Sequence, residues 1–344
     1  MDRVLEVGGC AAGYAGRLFV HAGGDVVSNA VAAPAWASDL GMDAFLHADK
    51  RRIEVQDPAL LAELAEHCDV VIVHVENAQA AQALGVMEWQ GCVRVVITSF
   101  GLSGPKKDWR ATPNVLLAMG GYTHLMGDAD RAPLTLPGHY AEFQAGALAY
   151  AAANAARFCG ENDVLIEISI LETLMTLSQF TTVRWHCAGE VRGRHGSDFW
   201  YVEPSELYAC ADGWIYVNIV PQFWDPFTVF LDRPELAMDE RFTTNDLRMQ
   251  NRRVLHEIGR KAVADLTIDE LAARAESCRV PVGIVRSLQE VLDEPHLGER
   301  SFWYQVELEE RSVKVPRPNY RIGGMPGPDR QLFPVEYPKR KLQS

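Results

Sequence analysis

Residues 4–27, VLEVGGCAAGYAGRLFVHAGGDVV, determine the expected fold. The apolar run of residues 4–7 ends at the pair Gly8-Gly9, and residues 11–22 then carry a helical pattern that Gly23-Gly24 closes. A second apolar run begins at Val26. The order strand, glycine turn, helix, glycine turn and strand is typical of a βαβ unit. We therefore expect a parallel sheet that begins near the N-terminus.

The same pattern recurs along the first half of the chain. Asp57-Pro58 begins a helix over residues 57–68, and the continuous apolar runs 69–75 (DVVIVHV) and 93–97 (VRVVI) follow. Strands that are apolar throughout occur where helices cover both faces of a sheet. Further along, the pattern predicts an alanine-rich helix over residues 141–158, a strand over 164–168 and one long helix over 170–185. The predicted fold class is α/β.

The character of the chain changes near residue 209. A strand-like run, residues 214–220, is followed by a mixed helical region with charged faces up to residue 294. We expect three segments: 1–208 as the first part of a large domain, 209–294 as a smaller α+β domain, and 295–344 as a return to the large domain. The last part is rich in proline, which sustains neither a helix nor an interior strand, so it is expected to be an extended tail.

Composition and charge narrow the possible functions. The 344 residues carry a net charge of −13, which opposes binding to nucleic acids and to anionic membranes. An anionic ligand therefore needs local cations. The seven cysteines form no CxxC pair, which argues against disulfides and a zinc site, and we expect no metal. The N-terminus lacks the features of a signal peptide and no apolar run is long enough to span a membrane, so a cytoplasmic protein is expected.

Two features in the first half are candidate anion sites. The turn around Gly9 precedes a helix whose first N–H groups can bind phosphate, although a tight turn that only packs the helix on the sheet explains it equally well. The GxGxxG pattern is missing, which disfavours a nicotinamide-dependent oxidoreductase. The run Lys50-Arg51-Arg52 is either a phosphate contact or a solvated charged segment. Arg110 lies beyond a glycine-rich loop that follows the strand of residues 93–97.

Glu142 is the candidate nucleophile. It stands in LPGHYAEFQAG, residues 136–146, at the start of the alanine-rich helix, and His139 precedes it by three residues. A carboxylate can attack a thioester and form a mixed anhydride, which divides an acyl exchange into reversible steps. The alternative is a first-turn carboxylate that merely complements the helix dipole. An isolated histidine is likewise more often structural than catalytic.

Several motifs in order resemble one enzyme family. They are CDVVIVHV at residues 68–75, SFGLSGP at 99–105, YACADGW at 208–214, DERF at 239–242, VPVG at 280–283 and DEPH at 293–296. Together with the glycine-rich start, they resemble the class III, formyl-CoA transferase-like CoA-transferases over about residues 4–318. The resemblance implies a Rossmann-like large domain, a small domain between its two parts, and an interlocked dimer.

The resemblance also implies a site. It identifies Glu142 as the catalytic residue, at the position of the family's aspartate, and acyl-CoA and a small carboxylic acid as the substrates. The expected contacts to CoA are Gly9, Cys10, Ala11, Lys50, Arg51, His74, Val75 and Arg110. The expected loop on the acyl side is Ser99, Phe100 and Gly101, with His139 beside it.

The chain departs from the family pattern at some of these positions. Glutamate replaces aspartate at 142, and cations expected after the second strand and before Leu84 are replaced by uncharged residues. The segment 109–114 lacks the histidine of the racemase branch, which disfavours that activity. Two hypotheses follow: a class III acyl-CoA:carboxylate CoA-transferase, or a catalytically degenerate subunit that pairs with an aspartate-bearing homologue. The chain is thus expected as a homodimer or a heterodimer, and the acids exchanged are not specified by the sequence.

Overall fold

A computed structural model describes residues 2–29, 40–199, 201–308, 311–318 and 320. The chain divides into two compact units. The larger comprises Met1–Thr123, Thr135–Val191 and Pro295–Ser344, and the smaller comprises His124–Leu134 and Arg192–Glu294. The smaller unit therefore joins a short segment from the first half of the chain to residues 192–294, where the sequence analysis expects a smaller domain over 209–294. Most of the expected proline-rich tail lies outside the described residues.

The larger unit contains a six-stranded sheet in which all neighbouring strands are parallel. Its strands are β1 (Arg3–Gly8), β2 (Asp25–Asn29), β3 (Arg51–Ile53), β4 (Val70–His74), β5 (Val93–Thr98) and β6 (Val164–Ser169). Their spatial order is β3-β2-β1-β4-β5-β6. This is the doubly wound order of a Rossmann-like sheet, in which the direction of winding reverses between β1 and β4. Ligands of such sheets usually bind where the strands end at this reversal.

Helices and one hairpin complete the larger unit. The helices are α1 (Cys10–His21), α2 (Leu40–His47), α3 (Pro58–Glu66), α4 (Ala78–Leu84), α5 (Pro113–Met119), α7 (Tyr140–Phe158), α8 (Ile170–Leu177), α9 (Gln179–Ala188) and α15 (Pro295–Glu299), while α6 (Tyr122–Leu125) spans the division between the units. The antiparallel hairpin consists of β10 (Trp303–Leu308) and β11 (Arg311–Pro316).

Apolar side chains pack on both faces of the sheet. Alternate residues of β4 enter two different clusters: Ile72 lies with α1 and α7 on one face, and Val71 and Val73 lie with α3 and α4 on the other. Both faces of this strand are therefore covered, as its continuous apolar sequence predicts. On the first face α7 approaches α1 so closely that a Cβ at Gly146 would stand 2.5 Å from the Ala11 carbonyl oxygen.

The prediction of a single long helix over residues 170–185 is wrong. The structure has two helices, α8 and α9, which meet at Ser178. There the backbone N–H of Ser178 donates to the Met175 carbonyl at 3.1 Å, and its hydroxyl donates to the same oxygen at 2.9 Å. A serine that bonds the preceding turn competes with helix continuation, but neither glycine nor proline marks this break in the sequence.

The smaller unit contains a three-stranded antiparallel sheet with helices around one apolar core. Its strands are β7 (Ser205–Ala209), β8 (Trp214–Asn218) and β9 (Val282–Ile284), in that order, and its helices are α10 (Trp224–Phe230), α11 (Asn245–Gln250), α12 (Arg252–Val263), α13 (Ile268–Cys278) and α14 (Leu288–Leu292). The expected α+β composition of this region agrees with these elements. Among the described residues of the whole chain, no helix is both long and apolar enough to cross a membrane.

Candidate active site

The turn between β1 and α1 is built around His74, the last residue of β4. The Gly9 N–H donates to the His74 carbonyl at 3.0 Å, and the Ala11 N–H donates to the His74 Nδ1 at 3.2 Å. Only glycine fits beside this histidine: Gly8 has φ +92° and a Cβ there would collide with the His74 carbonyl, while one at Gly9 would stand 2.5 Å from Nδ1. The double glycine therefore joins the carboxyl ends of β1 and β4.

His74 is neutral in this environment. Burial lowers its pKa, although the nearby Glu142 carboxylate acts in the opposite direction. Because Nδ1 accepts a hydrogen bond from Ala11, the ring proton resides on Nε2. Two N–H groups of the turn, those of Gly9 and Ala11, are thus already bonded to His74. This helix N-terminus therefore offers an anion fewer N–H donors than the sequence indicates.

Glu142 lies in the first turn of α7 and is only 7% exposed. Its Oε2 contacts the Nδ1 of His139, the residue that precedes α7, as a short hydrogen bond. The close packing of α7 on α1 brings this carboxylate to the start of α1, where a ligand atom of Glu142, one of His139 and the Cys10 Sγ all lie within 4.8 Å of one another. A helix N-terminus carries partial positive charge and stabilises such a carboxylate.

Cys10 is a buried thiol at the first position of α1. Burial raises the pKa of this thiol, and the Glu142 charge raises it further. The thiol therefore stays protonated near neutral pH. The structure thus brings together six of the residues expected at the site: Gly9, Cys10, Ala11, His74, His139 and Glu142.

Three aromatic rings, which the sequence reasoning missed, stand beside this group. The Tyr14 ring stacks on Phe143 with centroids 4.7 Å apart, and Phe45 lies 5.7 Å from Phe143. The His139 ring is 6.1 Å from Phe143. All three aromatic residues are partly exposed. Tyr14 follows Cys10 by one helical turn, and Phe143 follows Glu142 directly. These spacings could have indicated Tyr14 and Phe143 from the sequence.

Lys50 is buried and is not accessible to a phosphate group, contrary to the expectation from the sequence. Its ammonium group is fully buried, 2.5 Å from the Glu6 Oε2 and 2.7 Å from the Gly13 carbonyl oxygen. The other Glu6 oxygen lies 3.0 Å from the His47 Nδ1 and accepts from the Ser28 hydroxyl at 2.5 Å. A charge buried without a partner is strongly unfavourable, so Lys50 balances Glu6 and we do not retain it as a CoA contact.

The two predicted arginines lie at the protein surface in ion pairs. The Arg51 guanidinium forms a two-point contact with Asp25, with its Nε 2.9 Å from Oδ1. The Arg110 Nε is 3.0 Å from Glu76, and both side chains of this pair are more than half exposed. Exposed pairs of this kind exchange partners readily because they contribute little net free energy.

The loop after β5 is held by contacts of its own. The Ser99 carbonyl accepts from the Leu171 N–H at 3.2 Å, and the Phe100 ring packs edge-on against Trp109 with centroids 6.1 Å apart. The Gly101 N–H donates to the Thr98 hydroxyl at 2.8 Å. Val75 donates its N–H to the Ile97 carbonyl at 3.1 Å. Both Val75 and the loop follow the carboxyl ends of sheet strands, β4 and β5.

Comparisons with known proteins identify the family. The model of CoA-transferase family III matches residues 53–335. Over 94% of this chain and 88% of the relative, the sequence is 26% identical to the succinyl-CoA–D-citramalate CoA-transferase of Chloroflexus aurantiacus. It is 24% identical to the succinate–glutarate CoA-transferase of Agrobacterium fabrum over 90% of this chain and 86% of that protein.

Two other matches extend the comparison. The α subunit of a succinyl-CoA–L-malate CoA-transferase from Chloroflexus aurantiacus is 24% identical, and the match covers 71% of this chain and 59% of that subunit. A crystal structure of a CaiB/BaiF family protein from Brucella suis superposes with a TM-score of 0.80 at 20% identity, and the match covers 94% of this chain and 92% of the other. Because the family model spans most of the sequence and the fold agrees, the chain belongs to CoA-transferase family III.

Proposed function

We propose that the protein transfers CoA from an acyl-CoA to a carboxylic acid through covalent intermediates on Glu142. The observation that carries this proposal is a nearly buried carboxylate, in contact with His139 and at the start of α1, in a chain of this family. Burial removes water that would otherwise hydrolyse a reactive acyl intermediate.

The proposed reaction proceeds by alternating anhydride and thioester steps. The Glu142 carboxylate attacks the thioester carbonyl of the donor and expels the CoA thiolate, which leaves a mixed anhydride. The thiolate then attacks the glutamyl carbonyl, releasing the donor acid and forming a glutamyl-CoA thioester. The acceptor carboxylate attacks this thioester to form a second anhydride and the CoA thiolate. Attack of that thiolate on the acceptor's acyl carbonyl forms the new acyl-CoA and restores Glu142.

Each group around Glu142 has a distinct role in the proposed scheme. The contact with His139 orients the carboxylate, and the N-terminus of α1 stabilises negative charge beside it. The aromatic rings of Tyr14, Phe45 and Phe143 form an apolar surface beside Glu142 that suits an acyl chain. Arg51 and Arg110 are the exposed predicted cations that suit the phosphates of CoA, once they leave Asp25 and Glu76.

The test uses succinyl-CoA as the donor, because the relatives named above act with succinyl-CoA or succinate. The wild-type protein is incubated with it and a panel of dicarboxylic acids, and both acyl-CoA products and mass added to the Glu142 peptide are measured. Glu142→Gln is expected to lower the rate by about 10³-fold or more and to abolish the adduct. Glu142→Asp keeps the carboxylate but shortens the side chain, and a loss within about 10²-fold is expected. Full activity in Glu142→Gln would overturn the proposal.

A second candidate is a non-catalytic subunit that pairs with an aspartate-bearing homologue. Two observations favour it: Lys50, an expected phosphate contact, is engaged with Glu6, and one relative is named an α subunit. In this case the purified chain transfers no CoA alone, and activity is restored only when the homologue is added. Activity of the purified chain by itself, lost in Glu142→Gln, would eliminate this candidate.

The proposed assembly is an interlocked dimer. Large apolar side chains between 38% and 55% exposed lie on α7, β6, α8 and α9: Leu148, Leu165, Met175, Leu177, Phe180, Val183 and Trp185. Monomeric proteins rarely expose so much apolar surface, which supports a partner chain over this part of the larger unit. Native mass spectrometry at micromolar concentration is expected to show a dimer, and a monomer under the same conditions would contradict it.

A further inference from the structure

The side chains of Cys10, His139 and Glu142 form a set of three different donors. A thiol sulfur, an imidazole nitrogen and a carboxylate oxygen, one from each residue, all lie within 4.8 Å of one another. No hydrogen bond joins the Cys10 sulfur to any residue that the structure describes, so this donor is available. Cys10 is separated from the other two by more than a hundred residues, which is why cysteine spacing does not reveal the set.

The geometry is close to that of a metal site. Ligand atoms around tetrahedral zinc stand about 3.5 Å apart, given Zn–S near 2.3 Å and Zn–N and Zn–O near 2.1 Å. Atoms that are already within 4.8 Å therefore need to move by about 1 Å to reach that arrangement. The hydrogen bond between the His139 Nδ1 and the Glu142 Oε2 keeps two of the donors together, and it is exchanged for bonds to the ion when the metal binds.

The donor types select the class of ion. Magnesium and calcium prefer oxygen ligands, whereas a thiolate favours zinc and similar borderline or soft ions. Three protein ligands leave a fourth position for water. His139 is partly exposed, with 22% of its side-chain surface accessible, so an ion has a route to the buried pair Cys10 and Glu142. A divalent ion also offsets the two negative charges of a thiolate and a carboxylate.

We propose that Cys10, His139 and Glu142 bind one Zn²⁺ ion. A bound zinc ion deprotonates a coordinating thiol outright, so the high pKa of the free thiol lowers the affinity without preventing coordination. The ion occupies the Glu142 carboxylate, and the metal-bound form is therefore unable to attack a thioester. This last consequence rests on the proposed function, while the binding site itself does not.

The experiment titrates the metal-free full-length protein with Co²⁺, a spectroscopic substitute for zinc. A thiolate-to-cobalt charge-transfer band and intense d–d bands are expected at one equivalent, and Zn²⁺ is expected to remove both by displacement. Cys10→Ser is expected to abolish the charge-transfer band and weaken binding at least tenfold. Glu142→Gln is expected to keep that band and to weaken binding as well. The matched control is the double variant Cys159→Ser/Cys187→Ser, which removes two exposed thiols and leaves the spectrum unchanged.

X-ray absorption of the wild-type zinc complex tests the same site without any variant. One sulfur neighbour near 2.3 Å among nitrogen and oxygen neighbours near 2.1 Å is the expected shell. A shell of nitrogen and oxygen alone, or a charge-transfer band that survives in folded Cys10→Ser, would overturn the proposal. Neither measurement involves CoA, so a protein that transfers CoA but binds no zinc refutes the metal site alone, and the reverse result refutes the transferase alone.

Discussion

The Glu6–Lys50 contact shows how single residues of the larger unit are held. Burial alone would raise the pKa of Glu6, but the charges of Lys50 and His47 outweigh it and lower the pKa overall. The Glu6 carboxylate therefore stays ionised and needs its partner. A Cβ at Gly16 would collide with the same carboxylate, so α1 lies directly against it. This charge pair ties β1 to the segment that precedes β3.

Lys50→Met is expected to destabilise the protein by about 3–5 kcal/mol, because it removes the ammonium group that contacts the buried Glu6 carboxylate and leaves only the neighbouring His47 ring to offset its charge. The double variant Glu6→Gln/Lys50→Met removes both charges and is expected to recover much of this loss. Urea unfolding followed by tryptophan fluorescence measures both. The control is Arg52→Met, which breaks an exposed pair with Asp43 and is expected to change the free energy of unfolding by about 1 kcal/mol or less. Equal effects of Lys50→Met and Arg52→Met would contradict the buried pairing.

Two contacts, Glu142–His139 and Lys50–Glu6, show which features of the site the sequence can and cannot indicate. Glu142 and His139 are three residues apart at a helix start, so their contact follows from local geometry and was predictable. The partner of Lys50 is Glu6, which lies on a different strand, and no local pattern links the two. The run Lys50-Arg51-Arg52 therefore indicated a phosphate site, but in the folded protein Lys50 is buried in an ion pair with Glu6. The proximity of the Cys10 thiol to Glu142 was not predictable either, because the two residues lie on different helices and no local pattern links them.

At the scale of elements, the contact between α1 and α7 positions the site. The glycine at 146 permits the close approach, since a Cβ would stand 2.5 Å from the Ala11 carbonyl oxygen, a backbone atom that cannot turn aside. Strands and helices with strong apolar periodicity were predictable, including β4, β5 and α7. The division of α8 from α9 at Ser178 was not, because it depends on a side-chain hydrogen bond rather than on glycine or proline.

Gly146→Ala is expected to push α7 away from α1, and thereby to separate Glu142 from Cys10. Overpacking of this kind costs about 1–3 kcal/mol, and we expect CoA transfer to fall by about 10²-fold through misplacement of the carboxylate. Thermal unfolding and the succinyl-CoA assay measure the two effects. Gly298→Ala is the matched control, because a Cβ there meets no atom within 4 Å, and it is expected to change neither. Unchanged transfer by Gly146→Ala would contradict the role of this contact.

At the scale of the whole molecule, the smaller unit has its own polar centre, which no motif indicated. The His256 Nε2 lies 3.0 Å from Glu203 and 3.8 Å from Asp198, and its Nδ1 lies 3.0 Å from Glu206. The Tyr208 hydroxyl is 3.1 Å from the same Nδ1. Further charges at its edge are Arg252, which pairs with Asp198, and Arg260, which pairs with Glu206. One imidazolium therefore links β7 and the segment before it to α12.

The stability of the smaller unit is expected to depend on pH through His256. Burial would lower its pKa, but Glu203 and Glu206 outweigh burial and raise it to about 9. Because the pKa is higher in the folded state than the unfolded value of 6.5, the stabilisation is complete below pH 6.5 and is lost as the pH rises through about 9. The loss is on the order of 3 kcal/mol for a shift of this size.

Hydrogen exchange of β7 and α12 amides between pH 6 and 10, corrected for the intrinsic rate, measures this loss within the smaller unit. His256→Gln keeps a polar side chain but no cation, so its protection is expected to be lower at pH 6 and nearly independent of pH over the same range. Lys261→Gln, which removes an exposed charge from the same helix, is the control and should follow the wild type. If the wild-type and His256→Gln profiles ran parallel, His256 would not be the titrating group, and the three carboxylates would have to be balanced by Arg252 and Arg260 alone.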